Sequence, residues 1–125
     1  MREFTLTAPP SANALFVAIG RRRVKSKEYV AWTRLAGGEL MVQRVKPVRG
    51  PVNLCFYVAE NARRDLDNYI KPMIDALVAA GIIEGDGCKI VRSIAAEWNS
   101  IVRDGVFVAI TSAPVWVQRK GAAKK

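Results

Sequence analysis

The segment RRDLDNYIKPMIDALVAAGIIEGDG, residues 63–87, gathers the side chains best suited to chemistry. Asp65 and Asp67 stand two apart after an alternating stretch, where extended chain turns residues i and i+2 to one face. Asp67, Lys71 and Asp75 follow at spacings of four, which stacks them on one side of a helix. The Leu66, Ile70, Ile74 and Leu77 stripe takes the opposite side. A helix over about residues 68–80 carries the chain roughly 20 Å away at 1.5 Å per residue. Extended chain over 81–86 covers roughly the same distance back. This geometry predicts that Asp86 returns beside Asp65 and Asp67.

Carboxylates brought to one point need a cation. At an effective dielectric of about 20, two like charges 4 Å apart repel by about 4 kcal/mol. The chain has no histidine, which excludes Ser-His-Asp triads, His-metal sites and histidine general bases. Its two cysteines, Cys55 and Cys88, cannot complete a four-ligand zinc site. Lying 33 positions apart, they form no CxxC redox pair and read as buried reduced thiols. Ligation by oxygen alone selects Mg2+, with Mn2+ able to substitute. Such an ion polarises a phosphodiester, acidifies a bound water and orients an in-line attack. Lys71 is placed to offset transition-state charge or to position the water, and Arg63 and Arg64 to hold a phosphate backbone. Asn68 and Asp75 are supporting candidates. Each feature alone has a plainer reading: a solvated turn for Asp65 and Asp67, an i,i+4 ion pair for Lys71, a turn for Asp86 between glycines. Their combination carries the argument.

The elements that must position these residues follow from pattern and charge. The 125 residues fit one domain, set at 1–118 with a basic mobile tail at 119–125. No apolar stretch approaches the roughly 20 residues of a membrane span, and the N-terminus lacks a signal-peptide core. The location expected is cytoplasmic and nucleoid-associated, with no membrane partner and no organic cofactor. Lys and Arg number 20 against 11 Asp and Glu, a net +9, which points to a polyanion. Arg21, Arg22, Arg23 and Lys25 form a basic cluster suited to DNA phosphates, whereas five of the 11 acids fall within Asp65–Asp86.

Residues 2–8 alternate and read as a strand stopped by Pro9-Pro10-Ser11. Residues 11–25 read as a loop. Ser26 then caps a helix to about Arg44, with Tyr29, Val30, Leu35, Leu40 and Met41 as core candidates. Gly37-Gly38 weakens that helix or splits it in two. Arg49-Gly50-Pro51 is a turn, and Val52, Leu54, Phe56 and Val58 mark a strand. A second helix ends at Gly81, and residues 89–98 and 105–112 suggest an antiparallel hairpin around Asp104-Gly105. The fold class is α/β of the α+β type, a mixed sheet of about four strands against two or three helices.

RRDLDN at 63–68, Lys71, Asp75-Ala76-Leu77, Gly81 and the acid at 86 together resemble the RusA-type Holliday junction resolvases, small phage-derived endodeoxyribonucleases. Pro9-Pro10-Ser11 with Asn13 is similar to that family's PPSxN segment. The resemblance covers most of residues 4–112. It implies a homodimer that binds branched DNA, the four-way junction, and makes paired symmetric nicks with Mg2+. By position, Asp65, Asp67 and Asp86 match the family's metal-site aspartates, and Lys71 its essential lysine. One departure is Glu84-Gly85-Asp86, where the family commonly has two adjacent aspartates; Glu84 substitutes if the loop register slips by two. The alternatives are a nuclease for other branched DNA and a non-catalytic basic DNA-binding protein.

Overall fold

The computed structural model describes residues 1–114; the basic tail expected at 119–125 lies outside the described residues. The first strand, β1 (Arg2–Leu6), buries Phe4 and Leu6. The stretch read as a loop at 11–25 is more ordered than expected. A 3-10 turn at Ala12–Ala14 leads into an antiparallel ribbon, β2 (Phe16–Ile19) and β3 (Arg22–Lys25), turning at Gly20-Arg21. Its strands are largely exposed, so it lacks the one-sided alternation that betrays a strand.

Ser26 caps the first long helix, α1 (Lys27–Val42), by accepting the Tyr29 N–H at 3.0 Å. The helix is continuous through Gly37-Gly38. Its buried stripe is Tyr29, Trp32, Ala36 and Leu40, at spacings of three and four. Tyr29 and Leu40 were expected there. Val30, Leu35 and Met41 are instead exposed, because the true stripe runs through Trp32 and the small Ala36.

The strand β4 (Val52–Ala59) alternates buried and half-buried residues along its length. Val52, Leu54, Phe56 and Val58 are fully buried, each contributing about 1.5–3 kcal/mol relative to exposure. They share one core with Tyr29 and Leu40 of α1 and with Met73 and Leu77 of the second helix. That helix, α2 (Ile70–Ala79), grows out of a 3-10 turn at Leu66–Tyr69. Pro72 is its third residue, where the missing N–H has no intrahelical acceptor to lose. Gly81 closes α2 with φ 74°: its N–H reaches Val78 O and the Ile82 N–H reaches Leu77 O, a Schellman motif.

The four-stranded sheet has the order β1-β6-β4-β5, with β5 (Val91–Asn99) and β6 (Val106–Ser112). The hairpin expected between the last two strands does not form. β5 pairs with β4 in parallel, and β6 lies antiparallel between β4 and β1. The α2 crossover returns the chain parallel to β4 on one flank, which leaves the other flank for β6. Alternation reports which side of a strand is buried, not which strand lies beside it. No helix among the described residues is long and apolar enough to cross a membrane.

Candidate active site

The chain leaves β4 at Ala59, crosses a polar loop, and enters the 3-10 turn through Asp65. Asp65 has extended backbone (φ −92°, ψ 141°), and its side chain makes no capping hydrogen bond. Asp67 lies inside the turn. Asp65 and Asp67 therefore do not follow an extended i, i+2 register, because Asp67 is helical and the side-chain direction rotates between them.

One exposed cleft of about 380 Å³ is lined by Asp67, Ile70, Lys71, Ile74, Asp75 and Asp86. Positions 67, 71 and 75 come from successive turns, and Asp86 from the return segment after α2. That segment bends instead of running straight, yet it still delivers Asp86 to the cleft. Asp65 is exposed but does not line the cleft, and Asn68 is half-buried outside it. Among the described residues no three carboxylates or thiols lie close enough to hold a metal ion together. The expected convergence of Asp65 with Asp67 and Asp86 is therefore not seen among the described residues. Of the three carboxylates lining the open cleft, Asp75 is bonded to Tyr29 and Lys71. The other two, Asp67 and Asp86, still fit Mg2+, which usually keeps several waters and takes one or two carboxylates plus substrate phosphate.

Neighbouring acids and bases are otherwise engaged. The Glu84 carboxylate accepts the Gly50 N–H at 3.1 Å, which ties it to the turn before β4 and away from the cleft. Arg64 donates to Pro9 O and to the Tyr69 hydroxyl, and its guanidinium lies 4.7 Å from the centre of the Tyr69 ring. That arginine, expected to hold DNA, staples the N-terminal Pro9-Pro10 segment to the 3-10 turn. Arg63 remains exposed. Cys55 and Cys88 are free thiols, but Cys88 is exposed and Cys55 half-buried, so neither is the buried thiol expected.

Lys71 Nζ lies 3.5 Å from Asp75 Oδ2. The same Oδ2 accepts the Tyr29 hydroxyl at 2.7 Å. Burial first, and the Asp75 hydrogen bond and charge second, push the Tyr29 phenol well above its ordinary range, so it stays a donor. Sequence reasoning placed Tyr29 in the core and missed its polar partner. A bond across 46 positions leaves no local trace in the sequence.

The basic cluster occupies the ribbon. Arg21 sits in its turn, and Arg22, Arg23 and Lys25 on β3, all exposed. The Arg23 guanidinium lies 5.0 Å from the Phe16 ring centre, and Lys25 Nζ lies 5.2 Å from that of Tyr29. If this ribbon grips phosphates, replacing Arg21, Arg22 and Arg23 by Ala weakens DNA binding and flattens its salt dependence. Every phosphate left without its cation takes roughly 0.9 off the slope of log affinity against log salt. Titrations between low and moderate salt measure it; an unchanged slope makes the cluster a bystander.

A family model described as Endodeoxyribonuclease RusA matches residues 7–111. None of the curated proteins compared with the chain matches it.

Proposed function

The chain belongs to the RusA endodeoxyribonuclease family, whose activity is Holliday junction resolution, and from that premise we propose that it cuts four-way DNA junctions by paired, symmetric, Mg2+-dependent nicks. The observation that carries the reading is one open cleft lined by Asp67, Asp86 and Lys71 and joined through Tyr29 and Asp75 to an arginine ribbon. Asp67 and Asp86 would hold the cation, and Asp65, which makes no capping hydrogen bond, is an exposed carboxylate two residues from Asp67. A bound divalent ion supplies positive charge against the scissile phosphate and acidifies a water.

The chain's own residues do the rest. Lys71, on the first turn of α2, presents an ammonium to the negative charge that builds on the phosphate oxygens. Its side chain is two-thirds exposed, so it reaches a backbone laid across the cleft. The ribbon arginines and Arg63 hold flanking phosphates, which orients the reacting one. With a DNA junction as substrate, the protein works on the nucleoid.

Two scissile phosphates related by a two-fold need two active sites related by the same two-fold, hence a homodimer. The sheet face turned away from the helices supports it. Cys55, Tyr57, Phe107 and Ala109 line a largely apolar groove of about 780 Å³ there, with Tyr57 opposite Phe107 and Cys55 opposite Ala109 across β4 and β6. Glu3 and Arg103 border the same groove, opposite charges that a two-fold can pair between copies. Light scattering at micromolar protein is expected to give a dimer that Phe107→Asp converts to monomer. A monomeric wild type rejects the arrangement.

The deciding experiment is a gel assay on a labelled four-way junction, a fork and a matched linear duplex, with Mg2+ and with chelator. Paired nicks in the junction alone, lost with chelator and in Lys71→Ala without loss of binding, is the expected result. Equal cutting of forks favours the broader branched-DNA reading. Tight binding without cleavage in Mg2+ or Mn2+ rejects the enzymatic one.

A further inference from the structure

Lys71 and Asp75 alone would be an ordinary pair on a helix surface, worth a few tenths of a kcal/mol. Three observations set this pair apart. The Asp75 oxygen nearest Lys71 is also the acceptor of the Tyr29 hydroxyl, so the carboxylate is anchored from another helix. Tyr29 is itself fully buried, with its ring 5.8 Å from Phe16 edge-on and 6.4 Å from Trp32, stacked. Finally, Phe16 and Lys25, both of the arginine ribbon, contact that same ring.

The ribbon is fixed to the start of α1 by backbone and side-chain bonds as well. The Ser26 N–H donates to Leu15 O, and the Ser26 hydroxyl to Ala14 O, while the same Ser26 caps the turn that carries Tyr29. One aromatic ring is thus wedged between the ribbon and the cleft, and its hydroxyl ends at the carboxylate facing Lys71.

We propose that Tyr29 and Asp75 are positioning residues that fix the Lys71 ammonium over the cleft and hold it in register with the arginine ribbon. The inference rests on the reading of Lys71 as the catalytic lysine. A long, exposed lysine samples many rotamers, and holding it at one place removes most of that freedom before substrate arrives. Without the anchor the Asp75 carboxylate can rotate, and Lys71 follows it or goes free. DNA binding does not need this link, because the ribbon arginines stay where they are.

The test uses Tyr29→Phe, which keeps the ring and its packing and deletes only the hydroxyl, and Asp75→Asn, which keeps the shape and deletes the charge. Single-turnover junction cleavage is expected to fall about 10- to 100-fold in both, the scale of a misplaced catalytic group. Junction affinity is expected to stay within about twofold, since every side chain that holds a phosphate is kept. A second readout needs no activity: Lys71 acylation by acetic anhydride, read by mass spectrometry against Lys27 in the same chain. Freed from its carboxylate, Lys71 is expected to label faster in Asp75→Asn, and its labelling rate is expected to change in Tyr29→Phe as the unanchored carboxylate moves. Unchanged cleavage and labelling overturn the proposal, and so does a matching loss of cleavage and binding in Tyr29→Phe, which marks a packing role only. Lys71→Ala, run beside them, separates the two levels. Full cleavage by Lys71→Ala removes the catalytic role of Lys71 itself, whereas an inactive Lys71→Ala with normal Tyr29→Phe and Asp75→Asn removes the positioning alone.

Discussion

Asp67→Asn is expected to lower junction cleavage about a thousandfold and to leave junction binding in place. The substitution preserves volume and removes one negative charge from a cleft whose cation would rest on two carboxylates, Asp67 and Asp86. Losing one of the two would weaken the hold on a cation and shift its position. If that removes about 4 kcal/mol of transition-state stabilisation, the rate falls about a thousandfold. Binding moves the other way, because a carboxylate facing phosphates repels them and its amide does not. Affinity in chelator is therefore expected to be unchanged or tighter. Cleavage rate and Kd measured on the same junction check both halves. A variant that still cuts within tenfold of wild type would remove Asp67 from the metal site.

Gly105→Ala is expected to cost at least about 3 kcal/mol and to lower the melting temperature by roughly 10 °C or more. Gly105 has φ 72°, and a Cβ built there would lie 2.4 Å from the Leu6 carbonyl oxygen and 3.3 Å from its carbon. Both neighbours are backbone, at the end of the β1–β6 pairing where Leu6 faces Val106. They cannot rotate aside. Left-handed backbone alone costs an alanine about 1–2 kcal/mol. Gly105 O also accepts the Ala59 N–H at 3.1 Å, so a shift would loosen the exit of β4 toward Asp65. The control is Gly38→Ala on α1, where a Cβ meets nothing within 4 Å; there alanine is expected to stabilise by about 0.5–1 kcal/mol. Thermal denaturation of the two variants reads the contrast, and comparable melting temperatures would refute it.

Elements with a long, one-sided apolar period could be read from the residues alone. β4 was legible because four consecutive alternate residues are apolar, and α2 because its stripe and its Gly81 stop agree. The Ser26 cap and the grouping of Asp67, Lys71, Asp75 and Asp86 were legible for the same reason: each depends on spacing within some 20 residues. The side chains of α1 were less so. Val30, Leu35 and Met41 are apolar yet exposed, and only packing against the sheet selects Trp32 and Ala36.

Strand neighbours and the hydrogen-bond partners of Arg64, Glu84 and Asp75 emerge only from the long-range fold. β6 pairs with β4 and β1 instead of β5 because the α2 crossover has already fixed β5 in parallel beside β4. Arg64 reaches back 55 positions to Pro9, Glu84 reaches 34 to Gly50, and Tyr29 reaches 46 to Asp75. Residue type and local spacing set which groups can ionise, coordinate or donate. Which of them remain free to do so depends on long-range hydrogen bonds, and these exist only once the chain has closed on itself.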